Sequence, residues 1–122
     1  MALILIVEDN EKVAAMYQRQ LEFEGHTVAI AKDGVNGTSM AKKIRPDLIL
    51  LDIILPQKSG LDMLVDLKGD AKTKSIPVVA ISAFGSEENE RQAKELGAVE
   101  FLEKEKIDPD FVGKVVKKYL KR

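Results

Sequence analysis

Short, wholly aliphatic runs alternate along the chain with longer amphipathic stretches, and few folds accept that pattern. Runs apolar on both faces belong to buried parallel strands, and the amphipathic stretches between them are the crossover helices that cover such a sheet. Leu3-Ile4-Leu5-Ile6-Val7 reads as a central strand. A helix over 11–24 follows, with Val13, Tyr17 and Leu21 spaced by four, Asp9 or Asn10 as its cap and Gly25 as its stop. Thr27–Ala31 is a weaker strand, and Val35–Lys43 a helix that must end before Pro46. Leu48–Leu51 is again a buried strand, and it ends in Asp52.

The second half repeats the rhythm. A helix over 60–68 carries Leu61, Leu64, Val65 and Leu67, and Val78–Ile81 is a strand introduced by Pro77, where a missing N–H does little harm. Ser86–Leu96 reads as a helix polar over most of its circumference and stopped by Gly97. Glu100–Leu102 is a short fifth strand. Asp108 caps a last helix with Pro109 in its first turn and Phe111, Val112, Val115, Val116, Tyr119 and Leu120 as its stripe. Five strands and five helices in strict alternation leave no residues for a second domain. The expected architecture is α/β, an open five-stranded parallel sheet with helices on both faces.

Composition removes several functions. The 122 residues carry 19 Lys plus Arg against 20 Asp plus Glu, a formal net charge of −1, which argues against a nucleic-acid binder driven by a basic field. The basic cluster Lys114, Lys117, Lys118, Lys121 and Arg122 complements the dipole at the end of the last helix. Without Cys there is no disulfide or thiolate metal site, and His26 alone cannot form a His cluster or a Ser-His triad with a spare base. His26 follows Gly25 and is expected to be a solvated turn residue. Met16, Tyr17, Met40 and Met63 are expected to fill the core. No apolar run reaches the length of a membrane helix, and MALILIVEDN lacks the basic start of a signal peptide, so a cytoplasmic protein without membrane attachment is expected.

In sheets of this kind, ligands bind outside the carboxyl ends of the strands. Glu8 and Asp9 follow the first strand, Asp52 ends the third, Ser82 follows the fourth and Lys104 the fifth. Three carboxylates near one another repel unless a cation lies between them, and hard oxygen donors suit Mg²⁺. A lysine and a hydroxyl opposite the metal complete a cradle for a tetrahedral anion. The plain alternative is that strand ends collect Asp and Glu as helix caps; five such positions together weigh against it.

Those positions resemble a response-regulator receiver domain along nearly the whole chain: Glu8-Asp9 after LILIV, Asp52 in PDLILLDIILP with Pro56 and Gly60 downstream, Ser82-Ala83 after IPVVAI, and Lys104 in GAVEFLEK. The resemblance implies a flavodoxin-like strand order 2-1-3-4-5 and a single receiver over 1–122 with no output domain. It implies a signalling switch rather than an enzyme acting on external substrates. Asp52 is then the phosphoacceptor for a histidine kinase or a His-containing phosphotransfer protein. Asp9, Asp52 and the Ile54 backbone carbonyl hold Mg²⁺, and Glu8 acts through water. Lys104 pairs with the phosphoryl group; Ser82 and Phe101 form the switch that changes the surface of helix four, strand five and helix five, where a downstream protein docks.

The chain departs from that pattern in places. Phe101 stands where many receivers have Tyr, and Glu105 follows Lys104 where proline is usual. A trans Lys104-Glu105 peptide with a less firmly anchored lysine is therefore expected, because a cis bond before a residue other than proline costs about 2.5–4 kcal/mol. Ile54 and Phe84 flank the water path to an acyl phosphate and cannot orient a water by hydrogen bonding, which points to slow hydrolysis. Two alternatives remain at this level. One is an interaction module of receiver fold that works without phosphorylation. The other is a Mg²⁺-dependent phosphatase or phosphotransferase of the haloacid-dehalogenase type, against which Ile54 stands where a second acid is needed. VEDNEK has no Gly-rich turn for a dinucleotide or flavin phosphate.

Overall fold

The computed structural model describes residues 2–55, 58–83, 87–104 and 108–120. The elements, in chain order, are β1 (Leu3–Val7), α1 (Glu11–Phe23), β2 (Thr27–Ala31), α2 (Gly34–Ile44), β3 (Leu48–Asp52), α3 (Gly60–Lys68), β4 (Val78–Ser82), α4 (Glu87–Glu95), β5 (Glu100–Glu103) and α5 (Pro109–Leu120). Each sequence-derived element is present among the described residues, with ends displaced by a residue or two. Ser86, expected to open the fourth helix, lies outside the described residues, as do Lys121 and Arg122 of the basic cluster.

All pairings are parallel and the strand order is β2-β1-β3-β4-β5. The chain thus reverses its winding direction between β1 and β3, which makes the carboxyl ends of these two neighbours the place where a crevice opens. The register sets Val7 beside Leu51 and Asp52 beside Ile81.

Successive side chains of a strand leave opposite faces of a sheet, and here the core divides by that parity. Leu5, Val7, Ile49, Leu51, Val78 and Ala80 pack with Ala41, Met63, Leu64, Leu67 and Ala93 under α2, α3 and α4. Ile4, Ile6, Leu48, Leu50, Val79, Ile81 and Leu102 pack with Ala14, Tyr17 and Leu21 of α1 and Val112, Val115 and Val116 of α5. Leu48–Leu51 are at most 1% exposed. At about 1.5–3 kcal/mol per fully buried aliphatic side chain, β3 is a principal source of stability, and it holds Asp52 rigidly at its end.

Helix caps follow the expected chemistry. Asn10 rather than Asp9 caps α1, its Oδ1 accepting from the Lys12 and Val13 amides at 3.0 and 3.1 Å, which leaves the Asp9 carboxylate unused as a cap. α1 ends in a left-handed Gly25 (φ +97°), and the His26 amide returns to the Leu21 carbonyl at 3.0 Å. That turn folds His26 against the protein. Contrary to expectation it is half-buried, and its Nδ1 is inaccessible with no hydrogen-bond partner. Met16 departs too, at 38% exposure, whereas Tyr17 and Met63 fill the core as expected. Val65 and Phe111, assigned to apolar stripes, are 49% and 44% exposed. A helix touches a sheet along one narrow stripe, so the flank of a wide apolar face stays in solvent. Among the described residues no helix is long and apolar enough to cross a membrane.

Candidate functional site at the strand ends

The carboxyl ends of β1, β3, β4 and β5 bring the sequence-selected residues to one edge of the sheet. Glu8 follows β1 and is 2% exposed; Asp52 ends β3 and is 4% exposed; Ser82 ends β4 and is fully buried; Lys104 directly follows β5. Asp9 is exposed at the rim. Carboxylate oxygens of Glu8, Asp9 and Asp52 lie within 4.8 Å of one another.

Lys104 is the centre of this cluster. Its Nζ donates to Asp52 Oδ2 at 2.7 Å and lies 3.0 Å from Glu8 Oε2 and 2.8 Å from Glu8 Oε1. It converges with the carboxylates as expected, but in place of a less firmly anchored lysine it sits between two acids with its side chain only 18% exposed. The physical reason is the buried pair itself, because two carboxylates removed from water require a positive charge close by. The Lys104-Glu105 peptide lies outside the described residues because Glu105 does.

Backbone amides engage both acids as well. The Ile54 amide donates to Asp52 Oδ1 at 2.9 Å, and the Asn10 amide donates to Glu8 Oε2 at 3.1 Å. Asp52 is thus gripped at one oxygen by a backbone N–H and at the other by an ammonium, which fixes the plane of its carboxylate. Burial raises the Glu8 carboxyl above its ordinary value of 4.5; the Lys104 hydrogen bond opposes this, the charge of Asp52 adds to it, and the Asn10 amide opposes. Burial alone would lower the Lys104 ammonium. The hydrogen bonds from Asp52 and Glu8, with their charges, outweigh it and leave the ammonium above the ordinary lysine value.

The donor set fits a hard divalent cation: all-oxygen, three carboxylates, one of them exposed and open to solvent. Ile54 follows Asp52 by two residues and is 47% exposed. Phe101, on β5, is half-buried and packed against the core under α2, α3 and α4. Phe84 lies outside the described residues. Sequence reasoning assigned Tyr17 to the core and missed a second property. Burial chiefly raises its phenol, and the charges of Lys104, Glu8 and Asp52 also act on it, so it stands within electrostatic reach of the site from below. Its α1 position facing the sheet was legible, but not which strand ends lay above it.

Comparison with known proteins agrees with this geometry. A profile of the response regulator receiver domain matches residues 4–116. The polar-differentiation response regulator DivK of Brucella anthropi is 34% identical over 117 residues, covering 96% of this chain and 94% of its own. Among solved structures, a putative response regulator from Chloroflexus aurantiacus superposes with a TM-score of 0.92 at 28% identity, covering 99% of this chain and 98% of its own. The Mn²⁺-bound form of response regulator Rcp1 superposes with a TM-score of 0.85 at 27% identity, covering 99% and 96%.

Proposed function

This chain belongs to the response-regulator receiver family, and from that premise we propose that it is a phosphorylation switch whose phosphoacceptor is Asp52. The observation that carries the reading is the Lys104 ammonium held between Glu8 and Asp52, beside a third carboxylate, at the ends of three parallel strands.

A carboxylate oxygen of Asp52 attacks the phosphorus of a phosphohistidine on a histidine kinase or a His-containing phosphotransfer protein. The new O–P bond gives an acyl phosphate as the N–P bond breaks and the imidazole leaves. Asp9, Asp52 and the Ile54 carbonyl would hold Mg²⁺, with Glu8 acting through water. When bound, the ion supplies positive charge to the phosphoryl oxygens. The Mn²⁺-bound form of Rcp1 supports a divalent-cation site in a protein of this shape. Lys104 moves its hydrogen bond from Asp52 to a phosphoryl oxygen, and Ser82 offers its hydroxyl to another. Phe101 then turns toward the space that Ser82 vacates, which alters the α4–β5–α5 face that a downstream protein reads.

Incubation with acetyl phosphate and Mg²⁺, followed by intact mass measurement, tests the reading. One added phosphoryl group of about 80 Da is expected, lost in Asp52→Asn and with a chelator present. Undiminished labelling of Asp52→Asn removes the assignment. No labelling of the wild type leaves an interaction module of the same fold that works without phosphorylation.

A further inference from the structure

Lys68, the last residue of α3, is a half-buried cation with no acid beside it. Its Nζ donates to the Ile76 carbonyl at 2.9 Å and to the Lys74 carbonyl at 3.1 Å, and it takes part in no ion pair among the described residues. The acids on the elements around it are engaged elsewhere: Asp66 with Lys58, Asp70 with Lys42, and Glu95 at the end of α4 with Arg91. Its stem lies across Gly97, the left-handed residue after α4 (φ +112°), where a Cβ would come within 3.0 Å of Lys68 Cγ and 3.1 Å of its Cε. Burial, with no carboxylate to oppose it, pushes the ammonium below its ordinary value of 10.5.

We propose that Lys68 is an acylation site whose amine takes the acyl group of a small acyl phosphate such as acetyl phosphate. The inference stands apart from the phosphorylation proposed above, in which such a donor gives up its phosphoryl group and keeps its acyl group.

An ammonium carries three N–H groups, and here two carbonyls receive two of them. Loss of the third proton leaves a neutral amine that keeps both hydrogen bonds and has its lone pair where the undonated N–H stood. At Lys32 the same loss breaks the pair with Glu11 at 2.7 Å, which holds that ammonium above its ordinary value. The lone pair of Lys68 adds to the acyl carbon, a C–N bond forms, the C–O bond to the phosphate breaks, and inorganic phosphate leaves with the proton from nitrogen. Lys72 and Lys74, exposed on the connection between α3 and β4, favour the approach of a donor that is itself an anion. The product amide is uncharged and has one N–H for two carbonyls, so either Lys74 or Ile76 loses its donor. The 69–77 connection is then held less firmly to α3.

Treatment of the whole protein with acetyl phosphate, without divalent cations and in mildly alkaline buffer, tests this, each lysine being followed over time by digestion and mass spectrometry. In folded protein Lys68 is expected to gain an acetyl group severalfold faster than Lys32 and faster than the exposed Lys43; in concentrated urea the three react at similar rates. The proposal is overturned if folded Lys68 reacts no faster than Lys32, or if its lead survives unfolding. Hydrogen exchange reads the carbonyl bonds. The Thr73, Lys74 and Ile76 amides, which close the turns of this connection, are expected to exchange severalfold faster once Lys68 is acetylated. Lys68→Arg, which keeps the charge and the donors, takes no acetyl group at this position and exchanges after the same treatment like untreated wild type. Unchanged exchange in the acetylated wild type, or quickened exchange in treated Lys68→Arg, assigns the reacting amine elsewhere and also overturns the proposal.

Discussion

Lys104 Nζ lies 2.7 Å from Asp52 Oδ2, joining the end of β5 to the end of β3 across β4, which runs between them in the sheet. The same ammonium is 2.8 Å from Glu8 Oε1 at the end of β1. One flexible side chain therefore pairs with two acids that are both at least 96% buried, as their exposures of 2% and 4% show.

Removing that ammonium strands two buried carboxylates. Lys104→Ala is expected to cost about 3 kcal/mol in metal-free protein, the lower end of the range for breaking a buried pair because the Lys104 side chain keeps 18% of its surface exposed. A divalent cation replaces part of the missing charge. Thermal unfolding should therefore show a larger rise on adding Mg²⁺ in Lys104→Ala than in wild type; an equal or smaller rise contradicts this account.

Glu8 gives a pH signature of defined sign. Its folded carboxyl lies above 4.5, the value the unfolded chain approaches, so the folded state holds the proton more tightly. Its ionisation therefore opposes folding at neutral pH, and that cost fades as the pH falls toward 4.5. Lys104, raised above its ordinary value, stays charged throughout this window. Metal-free Glu8→Gln should melt above wild type near neutrality, with the gap closing in acid. Melting curves from pH 7 down to 4.5 check this, and a gap that widens in acid reverses the sign.

Tyr17 is an internal reporter. The chain has no Trp and two Tyr, so tyrosine dominates its emission. Tyr17 feels Lys104, Glu8 and Asp52, whereas the Tyr119 hydroxyl is bonded to the Val99 carbonyl and to Glu100. Tyrosine emission is expected to change as Mg²⁺ is added, and the change should vanish in Tyr17→Phe while surviving in Tyr119→Phe. The opposite assignment would place the responding charges elsewhere.

Ile54 bears on the lifetime of a phosphorylated state. Half-exposed beside Asp52, it presents an apolar surface that cannot orient an attacking water. Ile54→Asn should shorten the half-life of the acyl phosphate severalfold, read by loss of the added mass with time; an unchanged decay places control of water access at another residue.

The sequence by itself determined the class of fold and the chemistry available at the strand ends. Leu48–Leu51 could only be a strand covered on both faces, Gly25 and Gly97 could stop helices, and acids, a hydroxyl and a lysine fell directly after strands, because these signals are local and follow from backbone periodicity. Tertiary structure decided what touches what. That Lys104 stands between Glu8 and Asp52 depends on contacts 96 and 52 residues apart in sequence, that Phe111 and Val65 face solvent depends on how far each helix rolls over the sheet, and that Lys68 lies across Gly97 depends on where α3 and α4 end. No local period encodes such distances. They are set when side chains of fixed volume fill one interior, and the charges left at its edge take the partners which that packing brings within reach.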